Sequence, residues 1–345
     1  MVNLINFSTF GLALFSSLVS AGGKCDKDSK CPKSAPCCST YGSCGATFEY
    51  CGIGCDAEGS FKPASCLKPP VCESKKYDFK DANRMKDLKE YDGNFLKTDF
   101  LTSGNVEIKD GQLWLEMTKE GGAKMSLARY AQYAKITASM RTSRTKGVIS
   151  SFITMSDVKD EIDWEFVGNN LNEGQTNVFY RGNIDYTKGK KHAIEKNTFN
   201  SSIAYTIDWT ENNINWMVDG KVVRSYKKED SIKDDIIAFP STPSRIEFGI
   251  WNGGAGAEGT REWAGGEVDW NDPETADKGY YYVIVDWIEV ECIGSFNGTT
   301  DEDVKTGKLN TDVLSGKVHY TGNANRNSFS LGFVTLSILG LLYLI

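Results

Sequence analysis

In Asp160-Glu161-Ile162-Asp163-Trp164-Glu165-Phe166, acidic and apolar residues alternate with a period of two from Glu161 onward. That period predicts a strand, because successive side chains of an extended backbone leave by opposite faces. Glu161, Asp163 and Glu165 then share one face, and Ile162, Trp164 and Phe166 the other. The apolar face belongs in a core, so the acidic face lines a cleft or meets water. Adjacent carboxylates repel, and an ordinary strand scatters its acids or pairs each with a base. A solvated acidic edge strand is the plain alternative. A row of acids in a cleft suits cleavage of a glycosidic bond: one carboxyl protonates the leaving oxygen and another attacks the sugar.

The flanking sequence reads as more strand. Ser150-Ser151-Phe152-Ile153-Thr154 is expected to pair with the acid strand through a turn at Ser156–Lys159. Gly168-Asn169-Asn170 breaks the run, and Thr176-Asn177-Val178-Phe179-Tyr180 returns. Similar short runs occur at 106–108, 113–117, 203–209, 214–218, 246–251 and 281–290. Asp219-Gly220 before Lys221-Val222-Val223 is a hairpin signal. No long helical period interrupts them. The expected fold is all-β: a β-sandwich of the jelly-roll kind, with a concave glycan-binding groove.

Cysteine density divides the chain. Nine of its ten cysteines lie between Cys25 and Cys72, and the tenth is Cys292. A small module at 24–66 is too short to bury a sufficient core and must be held by bridges. A proline-containing link at 67–76, expected to be extended, leads into a large domain at 77–292. Residues 1–21 are apolar and close with Val19-Ser20-Ala21, which reads as a signal peptide. Phe329–Ile345 is uncharged and apolar, and the small residues Gly322-Asn323-Ala324 precede it. This reads as a GPI attachment signal over 323–345 with Asn323 as acceptor, after a flexible stalk at 293–322. A secreted chain with this many cysteines should be disulfide-bonded. Asn200-Ser201-Ser202 and Asn297-Gly298-Thr299 are glycosylation sequons. The expected location is the cell wall and the outer face of the plasma membrane.

Formal net charge is -7 and no basic cluster is present, which argues against nucleic acid as a partner. His192 and His319 are the only histidines. A Ser-His-Asp triad or a histidine-rich metal site is therefore not expected, and no metal or cofactor is called for.

Two resemblances sharpen the reading. Cys25, Cys31, Cys37-Cys38-Ser39, Cys44-Gly45, Cys51 and Cys55 resemble the hevein-type chitin-binding module. That resemblance implies that Ser39 bonds the acetamide of N-acetylglucosamine and that Tyr41 and Tyr50 stack on sugar faces. It implies the pairs Cys25–Cys38, Cys31–Cys44 and Cys37–Cys51. The rest close as Cys55–Cys66 with Cys72–Cys292, or as Cys66–Cys72 with Cys55–Cys292. Ser43 stands where the family often has an aromatic, a loss on the order of 1 kcal/mol of stacking.

Glu161-Ile162-Asp163-Trp164-Glu165-Phe166 resembles the signature of glycoside hydrolase family 16. Phe248-Gly249-Ile250-Trp251, Gly259-Thr260-Arg261-Glu262-Trp263-Ala264-Gly265-Gly266 and Val268-Asp269-Trp270 resemble the fungal Crh cell-wall transglycosylases within it. The resemblance implies Glu161 as nucleophile, Glu165 as general acid/base and Asp163 between them. It also implies chitin as donor and β-1,6- or β-1,3-glucan as acceptor. Trp251, Trp263 and Trp270 are the groove candidates, with Gly265-Gly266 allowing close approach; Tyr180, Trp209 and Trp216 are further candidates. Each ring is equally suited to the core. Two other accounts use the same sequence: a plain chitin or β-glucan hydrolase, and a non-catalytic wall lectin.

Overall fold

The computed structural model describes residues 23–306 except Asp234. The leader, Asn323, His319 and the apolar C-terminal stretch lie outside the described residues. The acid strand runs Glu161–Val167 and pairs antiparallel with Val148–Ser156 on one side and Glu173–Phe179 on the other. It is third in an eight-stranded sheet ordered Lys190–Ala193, Glu173–Phe179, Glu161–Val167, Val148–Ser156, Ser244–Asn252, Ala123–Ala131, Phe100–Ser103, Met85–Asp87. A second sheet runs Lys221–Lys227, Asn213–Val218, Ile203–Trp209, Ala134–Arg141, Tyr281–Cys292, Gln112–Met117, Asn105–Lys109. Lys75–Asp78 joins it beside Tyr281–Cys292. The longest described helix, Glu258–Trp263, has six residues. The fold is the expected β-sandwich.

The apolar face of the acid strand closes the core between the sheets. Ile162 and Trp164 are fully buried and Phe166 nearly so, each contributing about 1.5–3 kcal/mol by leaving water. Trp164 Nε1 donates to the carbonyl of Thr206 in the facing sheet at 3.1 Å. In return, Trp216 Nε1 donates to the carbonyl of Asp163 at 2.9 Å. Trp209 is also buried, its Nε1 on the Pro240 carbonyl at 3.1 Å. Trp209 and Trp216 are therefore core residues and not groove candidates. The Asp219-Gly220 hairpin forms with both residues at positive φ, 46° and 77°, the left-handed pair that a type I′ turn requires.

All ten cysteines are bridged: Cys25–Cys38, Cys31–Cys44, Cys37–Cys51, Cys55–Cys66 and Cys72–Cys292. Of the two arrangements left open for the last four, the one that ties Cys72 to the end of Tyr281–Cys292 is formed.

The link is extended, and it is held in place: Tyr130 N–H donates to the Pro70 carbonyl at 3.0 Å, and Pro70 pairs with Thr299. The first residues of the expected stalk differ from expectation in being structured. Thr300 caps a helix at Asp301–Lys305, Asp301 accepts from Arg129 Nη2 at 2.8 Å, and Val304 joins an apolar cluster with Phe48 and Tyr91. Composition reads 293–322 as polar and weakly patterned. Its few anchoring contacts are made to distant residues, which a local reading does not see.

Candidate active site

Register decides what surrounds the acids, because residues opposite one another in an antiparallel pair share a face. Glu161 lies opposite Met155 and Phe179, Asp163 opposite Ile153 and Asn177, and Glu165 opposite Ser151 and Gln175. One strand beyond, Met155, Ile153 and Ser151 face Arg245, Glu247 and Gly249. The acid face is thus several strands wide, apolar around Glu161 and polar around Glu165, on the side of the sheet away from the core.

The acids are shielded from water. Glu161 is 6 % exposed and Asp163 1 %, while Glu165 is partly open. No described donor reaches either carboxylate oxygen of Asp163. Its close neighbour is the Glu161 carboxyl, and two carboxyls bond only when one of them holds a proton. Burial, followed by the negative charges of Asp163 and Glu165, raises the Glu161 pKa well above the usual carboxyl range. Burial and then Asp163 do the same to Glu165. Burial lifts Asp163 to about 7, with the Glu161 hydrogen bond and the Arg224 charge opposing the rise. Three carboxyls this close share protons at neutral pH rather than all ionising.

A pH dependence follows. Unfolded carboxyls titrate near 4. From about pH 4 through about pH 7 the folded chain therefore holds protons that the unfolded chain has lost, and stability falls as pH rises. Asp99 and Glu247 are held below the usual range by basic partners, against burial, so their titration lies under this window. Melting temperatures measured between pH 4.5 and 7.5 should decline for the parent and decline much less for Asp163→Asn. A parent curve that climbs across this interval overturns the shared-proton account.

The acid strand is also held from its core side. The Arg224 guanidinium lies 4.5 Å from the Trp216 ring centroid, and Nη1 donates to Thr176 O at 2.9 Å and Thr176 Oγ1 at 2.8 Å. Thr176 is the strand neighbour of Trp164, and Trp216 holds the Asp163 carbonyl. Arg224 was not singled out from sequence. It sits on an edge strand of the other sheet, and only the pairing of the sheets brings it under the acids.

The proposed groove aromatics separate into two groups. Trp251 and Trp263 stack with centroids 6.0 Å apart, and Trp263 Nε1 donates to Gln175 Oε1 at 2.8 Å. Since Gln175 faces Glu165, this pair flanks the Glu165 end of the acid row. Gly265, at φ 83°, lets the chain after Trp263 turn back, and a Cβ there would lie 2.0 Å from Asn169 Nδ2. Trp270 instead packs against Tyr281 and the main core, centroids 5.5 Å apart. Tyr180 lies just past its strand under the Arg181 guanidinium; within the strand it is Gln175, Asn177 and Phe179 that face the acids. Tyr186, missed in sequence, is 54 % exposed, edge-on to Phe179, and close enough for the Glu165 charge to add to the rise in its pKa that burial begins. In the small module Ser39 Oγ accepts from Ser43 N–H at 3.2 Å, and Tyr41 is 60 % exposed. Asn200 and Asn297 are both exposed.

Residues 97–272, which include the acid strand and the tryptophan pair, match the family described as glycosyl hydrolases family 16. The chain belongs to that family. Within it the chain is Crh-like. It is 41 % identical to Crh-like protein 2 of Aspergillus fumigatus over 292 residues, covering 83 % of this chain and 65 % of that protein. It is 35 % identical to Crh-like protein UTR2 of Candida albicans, covering 81 % of this chain and 62 % of that one. The chain thus spans about two thirds or less of the length of these curated relatives. A solved Crh5 transglycosylase in complex with NAG superposes with a TM-score of 0.56 at 28 % identity, covering 66 % of this chain and 87 % of that one. This family 16 chain accordingly carries its acids on the sheet face that its sequence pattern indicated.

Proposed function

We propose that this chain is a wall transglycosylase that cleaves chitin by a retaining double displacement and passes the glycosyl chain to β-1,6- or β-1,3-glucan. The observation that carries the reading is the shared face of Glu161, Asp163 and Glu165, the first two buried and the third partly open beside stacked tryptophans, in a Crh-like chain. The named NAG complex of Crh5 supports an N-acetylglucosamine polymer as donor. Glu161 attacks the anomeric carbon while Glu165 protonates the departing sugar oxygen. Cα atoms four residues apart on a strand lie about 13 Å apart; two glutamates that lean toward each other across Asp163 can close this to the roughly 5–5.5 Å of a retaining pair. As Glu161 gives up its proton to attack, Asp163 holds it and donates back to the forming ester. Glu165, now a base, activates a sugar hydroxyl. Secretion, the chitin-binding role of Ser39, Tyr41 and Tyr50, and GPI attachment at Asn323 complete the reading of an enzyme that works at the wall.

The test is to incubate the purified chain with a chitin oligosaccharide and a labelled β-glucan oligosaccharide and to weigh the products. A mixed oligomer is the expected result. Shortened chitin alone makes the enzyme a hydrolase, and no product at all makes it a lectin. Trp263→Ala should raise the KM for oligosaccharide about five- to tenfold through lost stacking, and Trp263→Phe less than about twofold. Equal effects of the two substitutions would remove Trp263 from the groove.

A further inference from the structure

The small module is fastened to the sheet that carries the acids. Phe48, in its short helix, packs edge-on against Tyr91 of the large domain with centroids 4.5 Å apart, in a cluster that includes Leu101 and Val304. Gly54 N–H donates to Asp157 Oδ1 at 2.8 Å. The Tyr130 hydroxyl proton is shared between the Gly52 carbonyl at 3.2 Å and Asp157 Oδ1 at 3.0 Å. Arg245 Nη1 donates to both Tyr130 Oη, at 2.8 Å, and Asp157 Oδ1, at 3.0 Å.

This latch ends on the acid face. Arg245 shares a row with Glu161, with Met155 between them, and its Nε donates to Glu247 Oε1 at 2.8 Å. The docking contacts are made by Phe48, Gly52 and Gly54, and Tyr41, one of the module's candidate sugar contacts, stays 60 % exposed. The chain on the far side of the module is pinned by the Pro70–Thr299 pairing and the Cys72–Cys292 bridge. A module meant only to tether the enzyme needs none of these contacts.

We propose that the module is a fixed extension of the substrate groove, so that one N-acetylglucosamine polymer contacts the module and the acid row of the same molecule. This rests on the transglycosylase reading above. A rigid second contact makes the capture of a long donor intramolecular, whereas a loose module supplies only the effective concentration of its tether. Asp157 and Tyr91 hold the module in place without touching the donor.

The experiment uses the full secreted chain and the variants Tyr91→Ala and Asp157→Ala. Hydrogen exchange at the Gly54 amide reports docking, and melting temperature reports folding. Transfer is then measured from a short chitin oligomer that fills only the groove and from a long soluble chitin derivative. The Gly54 amide should be protected in the parent and exposed in both folded variants. KM for the long donor should rise about five- to tenfold, with kcat and the short-donor constants unchanged. An unprotected Gly54 amide in the parent, an unchanged long-donor KM after protection is lost, or equal KM increases for both donors would overturn the fixed-extension proposal while leaving the catalytic reading intact. No turnover of either donor by the parent sinks the catalytic reading, and this proposal with it.

Discussion

Glu161→Gln is expected to reduce glycosyl transfer on the order of 10⁴-fold, about 5.5 kcal/mol of barrier. The amide keeps the shape of the side chain but has no carboxylate to form the glycosyl ester. Stability should move the other way. Glu161 is 6 % exposed and lies against Asp163, whose oxygens receive no described donor. The substituted amide would offer an N–H to that carboxylate and remove a carboxyl that burial and its acidic neighbours make costly to ionise. The melting temperature at pH 7 should therefore rise while activity disappears, the pairing expected when a residue is strained for function. Product mass analysis reads the first effect and a thermal scan the second. Retained transfer would remove Glu161 from the mechanism. A large loss of stability would mean that its carboxyl is structural, which is the role of Asp160: that residue, one position earlier, accepts from Arg181 N–H, Ser241 N–H and the Thr242 hydroxyl.

The contrast between Asp160 and its neighbours shows what sequence could and could not tell. Alternation over 161–166 was enough to place three acids on one face and three large apolar residues on the other, since the strand period is a local property. The Asp219-Gly220 turn and the pairing of 150–154 with the acid strand were legible for the same reason. Register across strands is not local. Gln175, Asn177, Arg245 and Glu247 reach the acid face through pairings between segments far apart in the chain, and Arg224 reaches the acid strand from the opposite sheet. The tryptophans show the limit most plainly. Trp216, Trp251, Trp263 and Trp270 are chemically equivalent in the sequence, yet Trp216 and Trp270 join the main core, Trp251 is buried in a smaller cluster, and only Trp263, stacked on it, reaches Gln175. The start of the stalk was misread because a few long-range contacts ordered a segment whose composition resembles loose chain.

Glu165→Ala should separate the two halves of the reaction. General acid–base assistance is worth about 10²–10⁴-fold, so transfer from a chitin oligosaccharide, whose leaving sugar needs a proton, should fall by that factor. An aryl glycoside with an acidic phenol departs without protonation, and its first step should fall by no more than about tenfold. The glycosyl-enzyme on Glu161 then accumulates, because no base remains to activate a sugar hydroxyl. Azide, an anion that needs no base, should release it and yield a glycosyl azide with the configuration of the substrate, since two inversions have occurred. The geometry supports this division of labour. Glu165 is the partly open member of the row, facing Gln175 and the Trp251–Trp263 pair, whereas Glu161 is closed in beside Asp163. The carboxyl that must exchange protons with two successive sugars has the more accessible position, and the one that forms the ester has the more enclosed. Equal losses on both donors, or an azide product of inverted configuration, would exchange the roles of Glu161 and Glu165.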